Sequence, residues 1–182
     1  MQSRPCGPRR GTAILGVVSI IGNFVRISPA ELAHLRDDPM RVHSFVHGLV
    51  KAELTGPPVA PEHARSLCVD KCWDALGFLL DRVDFPVDLF RDGTDLGELD
   101  DGGTERRCLS VEQVRLAAEW FTVVEFEDVI ADFDPADPEA AVYWVRWDEP
   151  AFVEIVREHF QALTRFFAVA AASGEAVLRY YT

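Results

Sequence analysis

Lysine is almost missing from this 182-residue chain: Lys51 and Lys71 are the only two, and arginine carries the rest of the positive charge. Positive charge is itself scarce, 18 Lys and Arg against 30 Asp and Glu, for a formal net charge of -12. A surface with that balance repels phosphate backbones and anionic headgroups, because nucleic-acid affinity comes largely from Lys and Arg displacing counterions. Neither nucleic acid nor membrane is therefore an expected partner. No apolar run reaches the ~20 residues that a bilayer-spanning helix needs. The sequence also lacks G-x-S-x-G, H-E-x-x-H and a P-loop, so serine-hydrolase, zincin and nucleotide-phosphate chemistry have no anchor.

What is present begins with an ambiguous N-terminus. Arg4, Arg9 and Arg10 before "TAILGVVSIIG" imitate a secretory signal, but no small-residue cleavage pattern follows and "NFVRI" continues as alternating strand. The expectation is a cytoplasmic protein with a disordered lead-in over residues 1–11, rich in Pro and Gly, and a single domain over residues 12–182.

Helix signals dominate that domain. Ser28, Pro29 and Glu31 form a capping box with proline where it is tolerated. A second helix, from Met40 to about Leu54, carries Val42, Phe45, Val46, Leu49 and Val50 at helical spacing. "TGPPVAP" breaks the chain, and "CVDKCWDALGFLL", Cys68 to Leu80, reads as a third helix. Asp84 to Arg107 is a long acidic loop with a short strand at Val87 to Phe90, and its segment 92–103 is rich enough in carboxylates to raise a cation site, although Leu96 and Leu99 spoil an EF-hand. Ser110 and Gln113 make a second capping box. The longest helix starts at Pro150, repeats Phe152, Val156, Phe160, Leu163, Phe167 and Ala170 on one side, and is closed by Gly174. "AVLRYY" is a terminal strand able to pair with the strand near Val17 to Ile27. The class is α+β, helix-dominated, with a small sheet that includes the N- and C-terminal strands.

The order of "IGNFVRISPAEL", "DKCWDALGFLL", "FRDGTDLGELDDGGTERRCLSVEQV", a Tyr-and-Trp connector and "FQALTRFFAVAAASGEAVLRYY" resembles the DUF1877 family, also called YfbM-like proteins. The Asp-Lys-x-Trp block matches at Asp70, Lys71, Trp73 and Leu76 to Leu80. The resemblance implies a small soluble bacterial protein with an α+β fold and no assigned activity. This chain departs from the pattern at Gly77, where relatives often carry His.

On a helix, Cys68 and Cys72 share the apolar stripe with Ala75, Leu76 and Leu79. Their Cβ atoms would lie roughly 5 to 6 Å apart, beyond the about 3.8 Å of a relaxed disulfide. A zinc site would need further ligands, for which only His63 and Cys108 offer themselves; buried thiols are the simpler reading, and no metal or cofactor is expected. Asp70, Asp74, Gly77 and Asp81 fall on another face. That face is either solvated, with Lys71 lying against Asp74, or bears a ligand-binding notch opened by Gly77, lined by Asp70, Lys71 and Asp74 and walled by Trp73. Tyr143 and Trp147, from the aromatic connector, are further candidates for a binding platform, against a packing role. Two functions follow: a non-catalytic domain binding a small molecule or a basic protein partner, suited to the acidic surface, or a hydrolase or lyase using Asp70 and Asp74 as acid and base.

Overall fold

The computed structural model describes residues 19–96, 106–134 and 141–182. The lead-in over 1–11 and most of the Gly-rich part of the acidic loop lie outside them. Among these residues five strands form one antiparallel sheet in the order β2-β1-β5-β4-β3: β1 Gly22–Ile27, β2 Ser66–Asp70, β3 Thr94–Asp95, β4 Arg107–Leu109 and β5 Ala176–Tyr181. The expected pairing of the two terminal strands is found, with Gly22 opposite Tyr181 and Ile27 opposite Ala176.

Period-two alternation divides the sheet's side chains between two cores. Val25, Ile27, Ala176, Leu178 and Cys108 meet α1 (Pro29–Asp37) and α2 (Arg41–Thr55) on one face. Phe24, Val69, Leu109 and Val177 meet α3 (Trp73–Arg82), α4 (Val111–Phe121), α5 (Phe126–Ile130) and α6 (Pro150–Ala172) on the other. Both capping boxes form as their spacing requires: the Ser28 and Ser110 hydroxyls accept from the N–H groups of Glu31 and Gln113, whose side chains reach back. Gly174 stands at φ +64°, the left-handed conformation that ends a helix at little cost for glycine. There the N–H groups of Gly174 and Glu175 donate to Ala171 and Ala170 at 3.1 and 2.9 Å.

Two expectations are corrected. The stretch Cys68 to Leu80 is not one helix: it finishes β2, turns through Lys71 and Cys72, and starts α3 at Trp73. Asp70 sits at φ +48°, which a short polar side chain tolerates and which takes the chain out of the strand. Val87 to Phe90 is no strand either; Val87, Leu89 and Phe90 are buried in turn structure, and the short strand comes later, at Thr94–Asp95 opposite Arg107–Cys108.

The start of the outer edge of β2 meets the carboxylate of Glu53 from α2. It accepts the N–H of Arg65 at 2.5 Å, the N–H of Ser66 at 3.1 Å and the Ser66 hydroxyl. With its first donor taken, the start of that edge is a poorer template for another chain.

Candidate functional site

A concave cleft of about 450 Å³ opens where the end of β5 meets α3. Alternation along β5 carries Arg179 and Tyr181 to the α3 side, the same side as Val177. Trp73 stands at the start of α3, packed on Gly22. A Cβ at Gly22 would lie 2.7 Å from the Trp73 Cβ, so only glycine lets helix and strand approach this closely. The Trp73 indole Nε1–H donates to the Ile20 carbonyl at 3.1 Å, and its ring lies 5.0 Å from that of Tyr181 and 6.1 Å from that of Tyr143.

The next residue of α3, Asp74, fixes the connector before α6: its Oδ2 accepts the Tyr143 N–H at 2.6 Å. The Tyr143 hydroxyl in turn accepts the Ile20 N–H at 3.3 Å. Gly77 lines the cleft, but the room it leaves is used by the Phe90 ring, whose Cδ2 would stand 3.2 Å from an added Cβ. Phe90 is held by Asp88 Oδ1, which accepts its N–H at 2.9 Å, and by the Tyr181 hydroxyl, which donates to its carbonyl at 3.3 Å. On the rim the exposed Arg91 guanidinium bridges Asp81 and Asp88 at 3.3 and 3.4 Å. Arg179, 1% exposed, lies over the Tyr181 ring at 4.9 Å.

The structure thus brings together Trp73, Asp74 and Gly77, with Tyr143 bracing them, and does not gather the other sequence candidates. Asp70 lies outside the cleft lining and exerts its charge on Cys68, Cys72 and His159. Lys71 does not lie against Asp74; its Nζ sits 5.4 Å over the ring of Trp144. Trp147 is buried in the core with its ring 4.7 Å from that of Phe133, and so offers no platform. Phe90, Arg91, Arg179 and Tyr181 were not among the candidates. In the terminal strand Arg179 and Tyr181 share a face, because residues two apart do, but nothing in the local spacing sets that face against α3.

The three cysteines of the described residues are free thiols. Cys68 is exposed on β2 and Cys72 buried at the mouth of α3, so they do not share a helical stripe. Burial, reinforced by the Asp70 charge, pushes Cys72 up to about 12, and burial takes Cys108 to about 11. Thiols held that high are poor nucleophiles and poor metal ligands. Burial lowers His159, with Asp70 and Glu158 pulling the other way. Among the described residues no three His, Cys, Asp or Glu are grouped to hold a metal ion, and no helix is long and apolar enough to cross a membrane.

Comparison with known proteins adds the family and the fold. The family model for a domain of unknown function, DUF1877, matches residues 18–180. No curated protein matches. Among solved structures, the crystal structure of a protein of unknown function, YfbM from Escherichia coli, is similar over 89% of this chain and 99% of that one, at a TM-score of 0.57 and 15% identity. A likeness at that identity concerns the fold.

Proposed function

The chain belongs to the DUF1877 family, whose description assigns no activity, and from that premise we propose that the domain binds a small molecule in the cleft between α3 and β5 without transforming it. The observation carrying this reading is the cleft itself: about 450 Å³, walled by Trp73, Phe78, Phe90 and Tyr181, with a few polar groups at its border. That size and lining are typical of ligand pockets. Its carboxylates already have structural tasks. Asp74 anchors the connector, while Asp81 and Asp88 hold Arg91. The hydrolase or lyase reading needs Asp70 and Asp74 at one substrate, and only Asp74 lines the cleft. A basic protein partner remains compatible with the net charge of -12, but the concavity favours a small molecule.

The test is a fragment screen by thermal shift, in which a ligand at 100 times its dissociation constant adds about 2.7 kcal/mol. Ala141 is exposed at the cleft, so Ala141→Trp should block it while leaving the unliganded melting temperature near that of the wild type. Fragments that stabilise the wild type and not this variant support the reading. If every hit is retained in Ala141→Trp, the cleft is not the binding site.

A further inference from the structure

We infer that the molecule taken by the cleft is a small organic cation, a primary ammonium or guanidinium group on an apolar body. The inference rests on the binding reading above and adds the class of ligand. The polar groups of the cleft are not equivalent. Asp81 and Asp88 have their charge answered from within by Arg91. Asp74 makes one hydrogen bond, through Oδ2 to the Tyr143 N–H, and its Oδ1 accepts nothing from the described residues. It is a half-buried carboxylate with an acceptor to spare, fixed in place by the bond its other oxygen makes. A cationic head there meets a preorganised partner, and the body has the apolar surfaces of Trp73, Phe78 and Val142 beside it. The field of the whole molecule acts in the same direction, since a net charge of -12 concentrates cations at its clefts and repels anions. Arg179 is the group an anionic ligand would use, and the experiment gives it that opportunity.

Three probes of one shape separate the alternatives: 2-phenylethylammonium, 2-phenylethanol and 3-phenylpropionate, each titrated into 15N-labelled full-length protein. The indole N–H of Trp73 and the amides of Asp74 and Gly77 report the site. The expected result is that the ammonium probe moves these signals and binds about fivefold tighter than the alcohol, the scale of one ion pair at a half-exposed site. Added salt should narrow that gap. Asp74→Asn keeps an acceptor for the Tyr143 N–H and should bring the two affinities together. Should Asp74→Asn fail to fold, the salt dependence and the ammonium-to-alcohol ratio in wild type decide the matter. Tighter binding of 3-phenylpropionate at the same signals would overturn the cationic class in favour of Arg179 and leave the cleft reading standing. A ratio unchanged in folded Asp74→Asn, or no response to the ammonium probe, would also overturn it. The cleft reading falls by a different result, fragment hits that survive Ala141→Trp.

Discussion

Over one face of the sheet Phe24, Phe90, Phe121, Phe160 and Phe167 touch ring to ring, with centroids 5.5 to 6.1 Å apart and several pairs edge to face. Over the other face the buried side chains are small and aliphatic, Val25, Ile27, Leu32, Leu35, Val42, Val46 and Leu178. There the joint is completed at its rim by charge: Arg65, just before β2, reaches Glu31 in α1 at 2.6 Å, and Glu53 takes the first donor of β2. The aromatic side depends on shape, because rings in offset and edge-on contact tolerate little rearrangement. Charge is present on the aromatic side too: among the described residues the most buried ion pair, Arg26 with Glu175 at 3.5 Å, lies there with Arg26 over the Phe166 ring. The aliphatic side has smaller side chains and places its polar ties at the half-exposed rim. The cleft sits on the aromatic side, where large rings meeting at angles leave space between them.

The largest effect expected from breaking this comparison is in the aromatic array. Phe167 is fully buried and touches Phe24 and Phe121, so Phe167→Ala should cost about 3 to 5 kcal/mol in urea unfolding. Leu35→Ala, in the thinner core on the other face, should cost less, about 2 to 3 kcal/mol by the same measurement. Equal losses would remove the distinction between the faces.

Next in size is the ionic tie. Burial pushes the Glu31 carboxyl up, but its hydrogen bonds with Arg65 and Ser28 outweigh that and hold it below the usual carboxylate range. A carboxyl lowered on folding stabilises the protein above its unfolded value of about 4.3, and the contribution is lost as the pH falls through the folded value. Glu31→Gln keeps a capping acceptor for Ser28, so it should cost about 1 kcal/mol or less at pH 7, solvent screening keeping the pair modest. Denaturation series from pH 7 downward should show that difference shrinking as the pH falls below the unfolded carboxylate range. The smallest effect is on stability but not on chemistry: iodoacetamide on the native protein should modify Cys68 while sparing Cys72 and Cys108, as peptide mass spectrometry would read.

The sequence made the aromatic side legible where its elements are long. The stripe of α6 lies where its three-to-four spacing places it, and Phe160 and Phe167 are both buried. Capping boxes are equally readable, since they are local hydrogen-bonding devices. The segment from Cys68 was not, for a physical reason. Cys68, Cys72, Leu76 and Leu79 satisfy a helical period, while Leu67 and Val69 satisfy a strand's period of two, and a five-residue strand offers too few positions to separate the readings. The positive φ of Asp70 decides the matter, and a backbone angle leaves little trace in residue spacing. The site was half legible for the same reason. Trp73, Asp74 and Gly77 follow from one helix, whereas their partners Tyr181 and Phe90 arrive through tertiary contacts that no local spacing encodes.

The position of β5 sets the order in which this protein can be made. Among the described residues this strand follows the other four in sequence, and it is the middle strand in space, with β1 on one side and β4 on the other. Until it is in place the sheet exists only as two separate ribbons, β2 with β1 and β4 with β3, each too small to persist alone in water. Neither core has a complete floor at that stage, and the wall of the cleft that Tyr181 provides is missing. The chain therefore cannot mature progressively from its N-terminal side. It waits for contacts between segments far apart in sequence, which are slow to form, and a ribosome stalled short of Ala176 holds an exposed β1 edge and an unroofed row of phenylalanines, the state in which this fold is most open to aggregation and to chaperones.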